Sequence, residues 1–280
     1  MSQEDVVGPW SEDKLNLLRD YLRAYTKIMH KQDWCRGYHY VDAFAGTGKP
    51  RARDEERYID GSPRVALSIA EPYQFHSYTF IEKDLRRAQQ LQGLVEEFPD
   101  RRIYIYQGDC NELLKTRVVP NIRYDDFQRG LVFLDPFSMD LEWETLENIA
   151  RAGSLEVFIN IPIMALNRTA LPNDPYTITE AQIERNARFW GIPDWRESFD
   201  IYEVVPGLFG PEMIKPHRGT GKRLGNLYKR RLQTVFRYVT DPLVMTNSKN
   251  APLYALIFAG HNETGARIMR DIFSHFERLG

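Results

Sequence analysis

Four acidic residues stand at the ends of successive apolar segments of the sequence. Asp42 ends YHYVD, Glu82 ends SYTFIE, Asp109 follows RIYIYQG and Asp135 follows GLVFL. Carboxylates accept hydrogen bonds from hydroxyl groups and amines, so acids that meet at one rim could hold an ammonium group, a ribose diol and an adenine amine. S-adenosylmethionine carries all three groups, and we expect it to be the cofactor. Acids in such positions are also common helix caps, and this alternative stays open for Asp84 and Asp109.

A glycine turn follows the first of these segments, in AGTGKP. A phosphate-binding loop would need Ser or Thr directly after the lysine to hold magnesium, and Pro50 stands there instead. A dinucleotide-binding G-x-G-x-x-G pattern would need a third glycine where the chain has Arg51. Glycines let the backbone approach a cofactor that carries no phosphate, which favours S-adenosylmethionine over ATP or NAD. The predicted cofactor-binding residues are Asp42, Phe44, Gly46, Gly48, Glu82 and Asp109.

The fourth acid begins the sequence Asp135-Pro136-Phe137, which we predict to be the catalytic set. The carboxylate and a carbonyl near the proline would accept the hydrogens of an exocyclic amine, which turns the nitrogen lone pair towards a methyl donor. The aromatic ring would stack on the base. Adenine-directed enzymes usually have two prolines in this motif, whereas this sequence has one. In this respect the sequence resembles the tRNA guanine N2-dimethylating enzymes more closely. The alternative is a structural strand end with Phe137 in the core.

A basic segment is the second candidate for function. From Met213 to Thr240 the chain has eight Lys or Arg residues and no acid. A helical wheel places five of these basic residues on one face, opposite an apolar face: Lys222, Arg223, Lys229, Arg230 and Arg237. A solvated helix face normally mixes charges of both signs, so this segregation favours nucleic acid or an acidic partner. A solvated face without a partner is the alternative.

Alternating strands and helices are predicted to position these residues. Buried strands are indicated at YHYVDAFAG, SYTFIEKD, RIYIYQGD, GLVFLDPF and LEVFINIPIMAL, with helical segments between them. This order is typical of an α/β, Rossmann-like methyltransferase fold, a mostly parallel twisted sheet with helices on both faces that binds ligands at the carboxyl ends of its strands. Near the C-terminus, PLVMTNSKNAPLYALIFAG predicts an antiparallel strand pair, because a parallel crossover needs a dozen or more residues.

Three helices are predicted in detail. Residues 13–30 and 219–239 have apolar side chains at helical spacing. A helix after the second strand is expected to place one apolar stripe on the core, formed by Leu85, Ala88, Leu91, Val95 and Phe98.

Composition is that of a soluble globular chain. Of 280 residues, 42% are hydrophobic and 27% are charged, with a formal net charge of −2. Neither a disulfide framework nor a cysteine metal site is indicated, since Cys35 and Cys110 form no C-x-x-C pair. No run of about 18 apolar residues suggests a signal peptide or a membrane span, so we expect a cytoplasmic protein.

The chain resembles the Rossmann-fold S-adenosylmethionine-dependent methyltransferases, and most closely the three-Cys-motif partner protein (TcmP) family. The resemblance covers most of the chain and rests on WSEDKLNLLRDYL, YVDAFAGTG, GSPRVALSI, YTFIEKD, GDCNELL and FLDPF. It implies the fold and the cofactor. It also implies a separately encoded partner that carries three cysteines and resembles radical-type iron–sulfur proteins.

These observations lead to one functional prediction and two alternatives. We predict a single methyltransferase-like domain over 1–280, with an N-terminal helical segment at 1–36 and an inserted, loosely structured region at 167–215. Its predicted activity is N-methylation of an exocyclic amine of a nucleobase in DNA or RNA. One alternative is a methyltransferase for a small molecule or a partner protein. The other is a module that binds S-adenosylmethionine or a partner without catalysis.

Overall fold

A computed structural model describes residues 6–7, 9–49, 51–52, 58–70, 73–170, 177–199, 203–207, 210–214 and 220–279. The strands are β1 (Val6–Val7), β2 (Gly37–Asp42), β3 (Arg51–Ala52), β4 (Ser77–Glu82), β5 (Ile103–Gln107), β6 (Gln128–Leu134), β7 (Leu155–Ile161), β8 (Glu203–Gly207), β9 (Gly210–Ile214), β10 (Tyr238–Val239), β11 (Leu243–Thr246) and β12 (Pro252–Gly260). The helices are α1 (Pro9–Met29), α2 (Ser62–Leu67), α3 (Leu85–Leu91), α4 (Gly93–Glu97), α5 (Cys110–Leu113), α6 (Trp143–Ala152), α7 (Ile163–Thr169), α8 (Glu180–Trp190), α9 (Trp195–Ser198), α10 (Thr220–Leu232) and α11 (Glu263–Leu279).

The main sheet has the strand order β10-β12-β7-β6-β2-β4-β5, and β11 also pairs with β12. Strands β5, β4, β2, β6 and β7 are parallel, whereas β12 runs antiparallel to β7. Strands β10 and β11 both pair antiparallel with β12. The predicted Rossmann-like fold, with its parallel sheet and its antiparallel C-terminal strand pair, is confirmed.

Successive side chains of the strands enter two separate hydrophobic cores, because neighbouring residues of a strand point to opposite faces of the sheet. Tyr40 of β2 packs with α1, α2 and α11 on one face. Val41, the next residue, packs with α6, α7, α8 and α10 on the other face. All six residues of β4 are buried, as expected for a parallel strand that is covered on both sides. Helices on both faces therefore leave the strand ends as the accessible edges.

The helix predicted after β4 is divided in two, and its expected apolar stripe is wrong in part. Helix α3 ends at Leu91 and α4 begins at Gly93. Ala88 and Leu91 are buried, but the side chains of Leu85 and Val95 are 58% and 42% exposed. The break lies at Gln92, where the amides of Gln92 and Val95 bond to carbonyls three residues earlier instead of four, and Gly93, a poor helix former, follows it. The stripe therefore does not extend over the whole segment.

The helix predicted over 219–239 ends at Leu232. Tyr238 and Val239 form β10 instead, and pair with Gly260 and Ala259 of β12. The hydrogen bonds of this ladder are a long-range contact that helical spacing within the segment does not reveal. Arg237 consequently lies beyond the helix, in the turn before β10.

Within the region 167–215, the described residues include α8, α9 and the antiparallel pair of β8 and β9. The side chains of Trp190 and Trp195 are fully buried against the sheet-covering helices. The proposed domain limits themselves remain predictions, and part of this region lies outside the described residues. No helix within the described ranges has the length and apolarity to cross a membrane.

Candidate functional site

The four acids at the ends of apolar segments lie on one edge of the sheet. Asp42 and Glu82 are the last residues of β2 and β4. Asp109 follows β5, and Asp135 follows β6. Since β6, β2, β4 and β5 are consecutive neighbours in the sheet, their carboxyl ends form a continuous rim. Ligands bind at this edge in open parallel sheets.

The carboxylate of Asp42 lies beneath the turn that follows β2. Its side chain is fully buried, and its Oδ1 atom accepts a hydrogen bond of 3.2 Å from the backbone amide of Phe44. Burial raises the pKa of Asp42 to about 7, although a hydrogen bond from Ser62 opposes this increase. Asp42 therefore stabilises the turn from within the protein.

The conformation of the turn requires glycine at two positions. Gly46 and Gly48 have φ angles of 61° and 74°, which side chains other than glycine rarely adopt. The carbonyl oxygen of Gly48 accepts a hydrogen bond of 3.0 Å from the amide of Gly61. A Cβ atom on Gly61 would lie 3.1 Å from Gly48, so the two backbones need close approach. The turn is thereby closed against the start of α2.

Glu82 connects the turn after β2 with the turn after β4. Its Oε2 atom accepts a hydrogen bond of 2.9 Å from the amide of Gly46, and its Oε1 atom accepts one of 2.8 Å from the amide of Asp84. Each carboxylate oxygen has two lone pairs, so both oxygens keep the capacity to accept a further hydrogen. Glu82 can therefore fix the glycine turn and bind a hydroxyl group at once.

Asp84 and Asp109 both cap helices, as the alternative interpretation proposed. Asp84 accepts a hydrogen bond from the amide of Arg87, and Asp109 accepts one of 3.0 Å from the amide of Asn111. Partial burial raises the pKa of Asp109, but the hydrogen bonds from Asn111 and the neighbouring Lys83 outweigh it and leave that pKa below its usual value. Asp109 is thus a charged cap at the rim, and its predicted contact with a cofactor remains a prediction.

Sequence reasoning missed the two side chains that bind Asp135. Lys14 of α1 donates to Oδ2 at 2.5 Å, and Asn160 of β7 donates to Oδ1 at 2.7 Å. Lys14 is only 8% exposed, so this ion pair is shielded from solvent. Asn160 could have been noticed as the polar residue within the apolar segment LEVFINIPIM. Lys14 had no such signal, because charged residues are ordinary in an amphipathic helix.

Phe137 lies at the surface, and the alternative that placed it in the core is wrong. Its side chain is 73% exposed. It borders a cavity of about 280 Å³ together with Asp135 and Pro136. The remaining walls of this cavity come from α1, from the segment around α7 and from the start of β12: Trp10, Ser11, Lys14, Asn160, Pro162, Met164, Ala165, Arg168, Leu253 and Tyr254.

Tyr254 holds the first helix over this cavity. Its hydroxyl donates a hydrogen bond of 2.5 Å to the carbonyl oxygen of Trp10, and the ammonium group of Lys14 lies 5.2 Å from the centre of its ring. Burial raises the pKa of Tyr254, so the hydroxyl keeps its proton as a donor. The cavity therefore combines a paired carboxylate, an exposed aromatic ring and an ordered wall from the N-terminal helix.

The basic residues do not form the single helix face that was predicted. Lys222 and Arg230 are exposed on α10, but Arg237 lies past its end, with its guanidinium 5.4 Å from the centre of the Tyr238 ring. Lys229 pairs at 2.6 Å with Asp241, an acid that directly follows the acid-free segment. Arg223, also on α10, is partly buried. The exposed positive charge therefore comes from two elements, and the helical-wheel prediction is corrected for Arg237 and Lys229.

Known proteins match this chain by structure and not by sequence. No family model matches it, and no curated protein sequence matches it. The crystal structure of protein LPL1258 from Legionella pneumophila, of family DUF519, is similar with a TM-score of 0.51 and 11% identity, over 94% of this chain and 91% of that one. A Trm1 from Pyrococcus horikoshii in complex with S-adenosyl-L-methionine has a TM-score of 0.45 and 14% identity, over 92% and 57% of the two chains. The first similarity supports the fold that the strand order already indicates.

Proposed function

We propose that the protein is an S-adenosylmethionine-dependent N-methyltransferase that acts on an exocyclic amine of a nucleobase in DNA or RNA. The observation that carries the proposal is the position of Asp135 and Phe137. The carboxylate stands at the carboxyl edge of the sheet, and the exposed ring borders the same cavity. To methylate the amine of a base, a site needs a group that accepts a hydrogen bond from the amine and, beside it, a surface on which the base can stack. This cavity offers both.

The cofactor is proposed to bind beside this cavity, over the glycine turn. The backbone of Gly46 and Gly48 would approach the methionyl and ribosyl parts, with Phe44 next to them and Asp42 holding the turn. Glu82 would accept hydrogens from the ribose hydroxyls, and Asp109 would accept from the adenine amine. Bound S-adenosylmethionine would supply an electrophilic methyl group. The residue after Lys49 is Pro50, so the Ser or Thr that would hold magnesium in a triphosphate site is absent at that position.

Asp135 would orient the acceptor amine by accepting one of its hydrogens. The nitrogen lone pair would then face the methyl group that bound S-adenosylmethionine supplies, so that an N–C bond could form as the sulfur–carbon bond breaks. The amine gains positive charge during this step, and a fixed carboxylate stabilises it. The proton lost from the nitrogen afterwards passes to solvent. Phe137 would stack on the base and Pro136 would hold the ring outside the core.

Lys14 and Asn160 are proposed to set the direction of the Asp135 carboxylate. Each donates to a different oxygen, so rotation of the group would break at least one hydrogen bond. Both oxygens keep a second lone pair for the substrate. In the absence of substrate, Lys14 compensates the charge of Asp135 and limits the cost of burying it.

A capture experiment tests the proposed function and separates it from its alternatives. The purified protein is incubated with labelled S-adenosylmethionine and, separately, with RNA, DNA, protein and small-molecule fractions of its host. Label on a base amine of RNA or DNA is the expected result. Label found only in the protein or small-molecule fraction would contradict a nucleic-acid substrate and favour that other class of substrate. Cofactor binding without transfer to any fraction would support the non-catalytic module.

Two partners belong to this proposal. The exposed residues Lys222, Arg230 and Arg237 are proposed to contact the phosphate backbone of the substrate. The resemblance to the TcmP family supports a three-cysteine iron–sulfur protein as a second partner. Co-purification of that protein from host cells, before and after removal of its cysteines, tests the second proposal directly.

A further inference from the structure

A second cavity lies at the opposite edge of the sheet, where β6 and β7 begin. Its volume is about 320 Å³, and it is bounded by α1, by the first turn of α11 and by the segments around β6 and β7. This volume is within the range of small-molecule sites. The residues proposed to bind the cofactor and to act in methyl transfer are all at the other end of the strands. This cavity is therefore separate from the site described above.

A carboxylate forms one end of this cavity. Glu156 is the second residue of β7, and its Oε2 atom accepts a hydrogen bond of 2.8 Å from the hydroxyl of Tyr21. The side chain of Glu156 lies so near α11 that a Cβ atom on Gly265 would be 2.7 Å from Oε1. Burial raises the pKa of Glu156 to about 7, and the hydrogen bond from Tyr21 and the positive charge of Arg129 oppose this increase.

A guanidinium group lines the same cavity and is held rigidly. Arg129 lies between two rings, with its guanidinium carbon 3.8 Å from the centre of the Tyr124 ring and 4.7 Å from that of Trp34. Its Nη1 atom donates to the carbonyl oxygens of Tyr124 and Gln128, at 3.2 and 2.7 Å. These contacts use one nitrogen, so Nε and Nη2 can still donate to a ligand.

Glu156 and Arg129 do not neutralise each other by direct contact. Both are described residues that line the cavity, yet no ion pair within 4.0 Å joins them. Tyr21 donates to the acid, and the base packs against two rings and donates to two carbonyl oxygens, so each group has contacts of its own in place of a direct pair. Two opposite charges at a fixed separation are complementary to a ligand with the reverse pair of charges.

We propose that this cavity binds a small zwitterion, a free amino acid with an apolar or aromatic side chain. Its ammonium group would donate to Glu156, and its carboxylate would accept from Arg129 in a charge-assisted contact. The side chain would pack on the rings of Tyr25, Trp34 and Tyr238, which also line the cavity. A purely cationic ligand would be repelled by Arg129, and a purely anionic one by Glu156.

Three matched compounds test the proposal with the unmodified protein. L-phenylalanine has both charges, 2-phenylethylamine lacks the carboxylate, and 3-phenylpropionate lacks the ammonium group. Calorimetry at pH 8 is expected to give saturable binding of phenylalanine that is about 10-fold or more tighter than that of either analogue, the difference that one charged hydrogen bond makes. Equal affinity of an analogue, or no saturable binding of phenylalanine at millimolar concentration, would overturn the proposal.

Substitutions then assign the two contacts. Glu156→Gln should lower the affinity for phenylalanine and leave the affinity for 3-phenylpropionate unchanged or higher. Arg129→Gln should lower the affinity for phenylalanine and leave the affinity for 2-phenylethylamine unchanged. The matched controls are Glu144→Gln and Arg123→Gln, whose side chains pair with Lys115 and Asp126 outside the cavity. Controls that weaken binding as much as the tests would contradict the assignment.

The pH dependence provides an independent readout. Glu156 gains a proton as the pH falls below about 7, so phenylalanine should bind more weakly at pH 6 than at pH 8. The other titratable or charged side chains around the cavity are Tyr21, Tyr25, Tyr124, Arg129, Tyr238, His261 and Glu263. His261→Gln should keep the pH dependence and Glu156→Gln should abolish it. The reverse pattern would assign the effect to His261 and reject the role of Glu156.

Discussion

The ammonium group of Lys14 changes what Asp135 can do at the candidate active site. An isolated carboxylate at a strand end could rotate and could accept hydrogens from water. With Lys14 on Oδ2 and Asn160 on Oδ1, the carboxylate has one orientation before any substrate arrives. Preorganisation of this kind lowers the cost of aligning an acceptor amine. The first prediction at the residue scale depends on this arrangement.

Asp135→Ala should lower the single-turnover rate of methyl transfer by roughly 10² or more, with little change in cofactor affinity, because the role proposed for the carboxylate is mainly in the transition state. Asp135→Asn should retain part of the activity, since its carbonyl still accepts a hydrogen. Rates are measured with labelled cofactor, and melting curves check the folding of each variant. Asp84→Ala is the matched control, because Asp84 caps α3 and should affect stability alone. Full activity of a folded Asp135→Ala protein would remove Asp135 from the mechanism.

Phe137→Ala should act on substrate binding instead of on the chemical step. Its ring is exposed, so the loss should be about 1 to 3 kcal/mol of stacking on a base, with thermal stability unchanged. Titration of wild type and variant with nucleic acid checks this result. Phe127→Ala provides a comparison, because Phe127 is also an exposed aromatic residue but lies outside the cavity. Equal effects of the two substitutions would show that stacking at Phe137 is not specific.

Asp42 predicts how stability changes with pH. Burial raises its pKa to about 7 in the folded protein, whereas an unfolded Asp titrates near 3.8. The folded state therefore holds a proton that the unfolded state has lost, and this contribution to stability should disappear as the pH rises from about 4 through 7. Denaturant unfolding of Asp42→Asn should show a smaller decline over that window than wild type. An identical decline in both proteins would mean that Asp42 is charged when folded.

At the scale of elements, the sequence predicts those helices and strands that local patterns encode. It does not predict those that depend on contacts between distant segments. The strands of the parallel sheet could be predicted, because strands buried on both faces are continuous apolar segments. The C-terminal strand pair followed from the length of its turn. The sequence pattern predicts that α10 continues past Leu232, because only pairing with β12 shows that Tyr238 belongs to a strand. The role of Lys14 could not be predicted from a local pattern, because its partner Asp135 is 121 residues away in the sequence.

The exposed cations of α10 and the following turn allow a test of nucleic-acid binding. Replacing Lys222, Arg230 and Arg237 with Gln should weaken binding and lower the slope of log affinity against log salt, by about 0.9 for each phosphate of duplex DNA that the variant no longer neutralises. Lys229→Gln is the control, because Lys229 already pairs with Asp241. Unchanged affinity of the triple variant at every salt concentration would show that these cations are only solvated.

At the scale of the whole molecule, the two edges of one sheet carry different chemistry. The carboxyl edge gathers four acids, a glycine turn and the cavity beside Phe137. The amino edge has the cavity with Glu156 and Arg129. Helices cover both faces of the sheet, so ligands at the two edges would not meet directly. Binding at either edge should nevertheless stabilise the entire fold by mass action.

S-adenosylhomocysteine should therefore raise the melting temperature, by an amount equivalent to about 2.7 kcal/mol at 100 times its dissociation constant. ATP and NAD should have no effect, because the turn lacks the residues that those ligands need. Glu82→Ala should weaken the binding of S-adenosylhomocysteine by about 1 to 3 kcal/mol, because the ribose hydroxyl groups would lose their hydrogen-bond acceptor. Calorimetry provides the affinities. Micromolar ATP binding without a response to S-adenosylhomocysteine would reject the proposed cofactor.

The hydrogen bond from Tyr254 to Trp10 joins residues that are 244 positions apart. A ribosome adds about 5 to 20 residues each second, so the first helix would be made roughly 12 to 50 s before its tyrosine partner exists. Asp135, which is 121 residues after Lys14, is made within that interval, but the wall that covers the two residues has no anchor until Tyr254 follows. The nascent chain would complete this candidate cavity only after almost all of the chain has been synthesised, and a chain released early would carry the motif residues without an enclosed cavity.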